Sequence, residues 1–135
     1  MPVTGPDSDE GVECGPVPVL VVDDQASFRT ALRDLVAATE GFVPVGESAS
    51  GEAALDAVDE LSPRFVIIDK RMPGIGAIEA GRAIKRRHPE IVVLLISVEE
   101  APDSQVRRSC GAAVFARKRE LSAAFLRERW RAQRS

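Results

Sequence analysis

Five short apolar runs recur along this chain, each closed by a polar residue and each followed by a stretch of helical spacing. No other feature limits the possible folds so sharply. The first run, residues 17–22, is β-branched and ends in Asp23 and Asp24. Such a run reads as a buried strand. Phe28, Ala31, Leu32, Leu35 and Val36 then recur as one helical stripe, and Gly41 closes the helix. Residues 42–47 read as a second strand. It contains Pro44, which strands tolerate mainly at a sheet edge. Ser50 is placed to cap a second helix with the stripe Ala54, Leu55, Val58 and Leu61, stopped by Pro63. Residues 65–68 form a third apolar run that ends in Asp69.

The second half repeats the pattern. Pro73, Gly74 and Gly76 mark the loop after Asp69. Ala77, Ala80, Gly81 and Ile84 set the inner face of a third helix that His88 and Pro89 end. Residues 91–96 are the most continuous apolar run and lead to Ser97. A thin stripe over residues 102–109 predicts a weak fourth helix. Residues 113–116 are the fifth strand, followed by Lys118. Leu121, Ala124 and Phe125 are read as the inner face of the last helix, and Trp130 among its arginines as a solvated helix end, with a partner surface as the other reading.

Strict strand–helix alternation implies a parallel sheet with helices on both faces. Crossovers in such sheets are right-handed, which leaves few topologies. An edge position for the Pro44 strand selects the doubly wound order 2-1-3-4-5. The expected fold is therefore α/β, a five-stranded parallel sheet, in one domain over residues 17–135. Residues 1–16 carry Asp7, Asp9, Glu10 and Glu13 and few large apolar groups, so they are expected to be a disordered acidic tail.

A net charge of −3 argues against wholesale nucleic-acid binding. Cys14 and Cys110 lack metal-type spacing and are read as reduced thiols. No apolar run reaches membrane-spanning length, and no signal-like start is evident, so the expected location is the cytoplasm.

The polar residues at the strand ends carry the chemistry. Ligands of open parallel sheets bind outside the carboxyl ends of the strands, where strand order reverses. The first and third strands flank that point, which gathers Asp23, Asp24 and Asp69. Three crowded carboxylates require a cation, and a hard divalent ion such as Mg²⁺ suits oxygen ligands. A carboxylate also attacks phosphorus to give an acyl phosphate. The peripheral oxygens of that group need partners, which the metal, the Lys118 ammonium and the Ser97 hydroxyl can supply.

The segments VLVVDDQ (19–25), VIIDKRMPG (66–74), VVLLIS (92–97) and VFARK (114–118) resemble the signature blocks of response-regulator receiver domains. The resemblance implies a (βα)5 receiver, flavodoxin-like fold and a signalling switch. It implies that Asp69 is the phosphoacceptor, that Asp24 binds Mg²⁺ directly and that Asp23 acts through a water. The backbone carbonyl of Arg71 would be a further metal ligand, and Lys118 the paired cation. Ser97 would be the switch hydroxyl and Phe115 the rotamer switch, while Pro73 and Gly74 shape the loop after the acceptor. A histidine kinase or phosphotransfer protein would be the donor. A downstream protein, or a second copy in a homodimer, would read the surface of the fourth helix, fifth strand and fifth helix.

Arg71, Val98 and Arg119 depart from common receiver residues. Arg71 is expected to change the dephosphorylation rate, and Val98 to narrow donor access. Arg119 stands where many relatives have proline. Three other readings compete: an interaction module that ignores phosphorylation, the receiver part of a DNA-binding regulator, and a Mg²⁺-dependent phosphatase. The last usually wants an Asp two positions after its nucleophile, where Arg71 stands.

Overall fold

The structure is a computed structural model that describes residues 16–69, 76–97 and 114–134. The strands are β1 (Val17–Val22), β2 (Phe42–Ser48), β3 (Phe65–Asp69), β4 (Val92–Ser97) and β5 (Val114–Arg117). Between them run α1 (Ala26–Ala38), α2 (Gly51–Leu61) and α3 (Gly76–Arg87). A short 3₁₀ turn, Lys118–Glu120, leads into a C-terminal helix, Ala123–Arg134. The predicted helix over 102–109, most of the acidic tail, and Arg71, Pro73, Gly74, Val98, Cys14 and Cys110 lie outside the described residues.

The strands form one parallel sheet in the order β2-β1-β3-β4-β5. This is the 2-1-3-4-5 order that the sequence implies. Pro44 does sit on an edge strand, and the pairing of β1 with β2 slips beside it. Val19 pairs with Pro44, but Leu20 pairs with Gly46, so Val45 is the extra residue of a bulge. Gly46 lies under the tip of the Leu61 side chain. A Cβ there would fall 2.5 Å from Leu61 Cδ1. Leu61, read as part of the inner stripe of α2, is 39% exposed, with its Cδ1 beside Gly46 on the edge strand.

Side chains alternate across the sheet and build two cores. On one face Val19, Val21, Phe65, Ile67, Leu94 and Ile96 meet α1 and the C-terminal helix. On the other Leu20, Val22, Val66, Ile68, Val93 and Leu95 meet α2 and α3. Apart from Leu61, the stripes of α2 and α3 hold, with Ala54, Val58, Ala77, Ala80, Gly81 and Ile84 buried. Two further inner-face assignments fail. Ala31 and Ala124 are exposed, because a small side chain at the margin of a helical stripe reaches no core. The C-terminal helix buries Leu126 and Trp130 instead. Trp130 is no solvated end. It stacks on Phe65 at 5.9 Å and meets Phe42 edge-on at 6.5 Å.

Helix ends follow local chemistry. Ser50 caps α2 by accepting the Ala53 N–H at 3.1 Å. His88 lies just past α3 and pairs with Asp59 of α2 at 3.1 Å. At the other end of α2, Ser62 adopts left-handed backbone, φ 51° and ψ 52°. That conformation strains any residue with a Cβ. Ser62→Gly should relieve the strain while adding freedom to the unfolded chain. The expected net gain is about 0.5 kcal/mol in urea denaturation.

Candidate functional site

Each strand of the central sheet delivers its last residue to one edge. Val22 pairs with Ile68 and Asp69 with Ile96, so Asp23 emerges level with Asp69 on the neighbouring strand. Ser97 pairs with Arg117, one position before Lys118. Asp23 is fully buried, Asp69 and Ser97 nearly so, and Asp24 is exposed. The carboxylates of Asp23, Asp24 and Asp69 converge, with one oxygen from each within 4.8 Å of the others. Lys118 Nζ closes the group, 3.3 Å from Asp69 Oδ2 and 3.5 Å from Asp23 Oδ2. Thus the residues singled out at four strand ends arrive at one edge, where three carboxylates are in mutual reach and the Lys118 ammonium meets two of them, Asp23 and Asp69. The side chain of Phe115 and all of Arg71 lie outside the described residues, though the backbone of Phe115 pairs with Leu95 on β4.

Asp23 is divided between two tasks. Its Oδ1 accepts the Gln25 N–H at 2.8 Å, a local turn that starts α1. Its Oδ2 is buried without a hydrogen-bond donor. Burial pushes the Asp23 carboxyl above the usual carboxylate range; the Gln25 N–H opposes this, the Asp69 charge adds to it, and Lys118 opposes it. A buried, acceptor-only oxygen beside two further carboxylates fits a hard divalent cation with oxygen ligands. Lys118 offsets part of the negative charge but donates no hydrogen bond to Asp23 Oδ2.

Two residues of this site were not recognised as such in the sequence. Arg29 donates to the Asp23 backbone carbonyl at 2.6 Å and to Glu47 Oε1 on β2 at 3.2 Å. It thereby ties the acidic turn to the sheet edge. A basic residue in a helix's first turn opposes the helix dipole, and that misplacement was the available signal. Phe28, read only as core, lies under Lys118, whose Nζ is 3.8 Å from the ring centroid.

The raised Asp23 pKa has a stability consequence. As pH rises from the ordinary 3.8 toward the folded-state value, the unfolded chain ionises first. Asp23 therefore favours the fold in acid and weakens it toward neutrality when no cation is bound. Asp23→Asn is expected to stabilise the metal-free protein by about 0.5–2 kcal/mol at neutral pH. The gain should shrink as pH falls to the ordinary carboxylate range. Thermal melts with chelator across that range check this, and added Mg²⁺ should then stabilise the parent more than the variant.

Comparison with known proteins agrees with this geometry. The protein-family model for the response regulator receiver domain matches residues 19–127. Response regulator GacA of Pseudomonas viridiflava is 42% identical over 98 residues, covering 72% of this chain and 46% of GacA. The chain thus spans about half the length of that curated relative. Among solved structures, the response regulator domain of Thermotoga maritima CheB superposes with a TM-score of 0.76 at 28% identity, covering 89% of this chain and 98% of that one. The CheX-CheY-BeF3-Mg+2 complex from Borrelia burgdorferi gives a TM-score of 0.74 at 25% identity, covering 90% and 91%.

Proposed function

This chain belongs to the response regulator receiver domain family, and we propose that its switch operates by transfer of a phosphoryl group to Asp69. The carrying observation is the ammonium of Lys118 set 3.3 Å from a nearly buried Asp69 carboxylate, beside two further acids. That arrangement gives one nucleophile, a place for a divalent cation, and a fixed positive charge opposite the incoming group.

The residues that would hold Mg²⁺ are Asp23, Asp24 and Asp69, together with the backbone carbonyl of Arg71. When bound, the ion neutralises charge on the phosphoryl oxygens. An oxygen of Asp69 attacks the phosphorus of a phosphohistidine or a small acyl phosphate. The bond from phosphorus to the donor breaks, its electron pair leaves with the donor, and an acyl phosphate remains on Asp69. Lys118 faces one peripheral oxygen throughout. Ser97, at the end of the adjacent strand, offers its hydroxyl to another.

The phosphoryl oxygens exist in only one of the two states, so their contacts supply the differential free energy of the switch. Movement of Ser97 toward them frees space for Phe115 to turn, and the surface around β5 and the C-terminal helix changes. In this reading the receiver domain spans residues 17–135 behind an acidic tail over residues 1–16. A histidine kinase or phosphotransfer protein is the donor, and a downstream protein or second copy reads the altered face. GacA is named a response regulator and is longer than this chain, which keeps open a receiver that serves a regulator with further parts. No described helix is long and apolar enough to cross a membrane; a cytoplasmic location is part of the same proposal.

Incubation with acetyl phosphate and Mg²⁺ tests the proposal. One added phosphoryl group that persists, and that chelator prevents, supports the switch. No adduct from small donors or kinases supports a phosphorylation-independent interaction module. Rapid turnover of many phosphomonoesters supports a phosphatase.

A further inference from the structure

We propose that Phe28 is a positioning residue for Lys118, its ring face holding the ammonium at the point where it meets Asp69 and an incoming phosphoryl oxygen. The inference deepens the phosphorylation reading and rests on it for its kinetic consequence. Three groups surround Lys118 Nζ: Asp69 Oδ2 at 3.3 Å, Asp23 Oδ2 at 3.5 Å and the Phe28 ring centroid at 3.8 Å. The Lys118 side chain is only 13% exposed, so water competes weakly for the cation. A partly desolvated ammonium over an aromatic face is attracted by the negative centre of the ring.

The ring is itself held at a defined height. Phe28 is partly buried and packs on the core cluster that includes Val19, Val21 and Leu32. The next residue, Arg29, is tied to the Asp23 carbonyl at 2.6 Å and to Glu47 at 3.2 Å. The first turn of α1 thus fixes the acid pair and the platform for the opposing ammonium together. Leucine would serve the packing but offers no such face.

What sets the ring apart is its response to charge. The two carboxylates hold Lys118 only while they are free to do so. A divalent cation on the same oxygens repels the ammonium and weakens that hold. The attraction of the Phe28 ring does not run through those oxygens. It keeps the flexible lysine stem in place when the phosphoryl group arrives, which is when its charge is used.

Phe28→Leu and Phe28→Tyr separate this role from packing. In the unphosphorylated, metal-free protein, the Lys118 ε-methylene protons should resonate upfield of those of Lys70 and Lys85, because they lie over a ring. The displacement should persist in Phe28→Tyr and vanish in Phe28→Leu. With acetyl phosphate and Mg²⁺, Phe28→Leu should be phosphorylated roughly fivefold more slowly, as expected for loss of one cation–π contact. Phe28→Tyr should stay within about twofold of the parent. An ordinary Lys118 resonance in the parent, or equal rates for parent and Phe28→Leu, overturns the proposal. If both variants lose rate in step with melting temperature, the role is packing alone and the proposal is likewise overturned. A parent that takes up no phosphoryl group while its Lys118 protons remain upfield refutes the phosphorylation reading and leaves the placement of Lys118 by Phe28 standing.

Discussion

Asp69→Asn is expected to lose phosphoryl uptake from acetyl phosphate by more than about a thousandfold while remaining fully folded. The amide keeps the shape of the carboxylate but presents no anionic oxygen to phosphorus. It also removes one of the oxygens facing Lys118 as a charge, and one charge from the three-acid cluster. The second effect protects the fold. Asp69 is 4% exposed beside the buried Asp23, so neutralising it relieves repulsion. Loss of uptake with an unchanged or raised melting temperature would separate chemistry from stability. Intact-mass measurement after incubation with Mg²⁺ gives the first, and a thermal melt the second. Residual uptake near the parental rate would mean that some other group accepts the phosphoryl.

Trp130→Ala is expected to cost about 3–5 kcal/mol of folding stability, read from urea denaturation. Domains of this size are commonly stable by only about 5–15 kcal/mol, so the variant should be marginal. Trp130 is 9% exposed, stacks on Phe65 and meets Phe42 edge-on. With Leu126 it fastens the C-terminal helix to the first core face. Phe42 and Phe65 open their strands, whereas Asp69 closes β3. The cavity would form at the amino end of the sheet, roughly 13 Å along β3 from Asp69 at the usual strand rise. Phosphoryl uptake of the surviving folded fraction, assayed in the cold, should therefore stay close to the parental rate. A loss below about 1 kcal/mol would mean that Trp130 is solvated in solution, as its arginine neighbours suggest.

The site and the tryptophan differ in how plainly the sequence carries them. Asp23, Asp24, Asp69, Ser97 and Lys118 each follow an apolar run, and strand order alone then determines their common edge. A polar residue at a strand end is a one-dimensional signal for a three-dimensional place. Trp130 carries the opposite signal. Arg127, Arg129 and Arg131 surround it, and charge near an aromatic reads as a wet surface. The four-residue step from Leu126 to Trp130 was the better guide, since it lays both on one helical face. Ala31 and Ala124 failed for the reverse reason: they keep the period of a stripe but sit at its margin, where a small side chain stays exposed.

Phe28 is hidden for another cause, and Arg29 shows only as a misplaced cation. Their partners, Lys118 and the backbone carbonyl of Asp23, are chosen by tertiary closeness and not by periodicity. Phe28 fits a hydrophobic stripe perfectly well, and its packing role conceals its contact with the cation. The bulge at Val45 was likewise hidden, although Pro44 marked the strand as an edge.

The measurement that addresses the central claim most directly is residue-level mapping of the phosphoryl group by tandem mass spectrometry, after reaction with acetyl phosphate in the presence of Mg²⁺ or chelator. The account predicts a single modified position, Asp69, filled with the metal and empty without it. Modification at another residue, or equal modification of Asp69 with and without the metal, would contradict it.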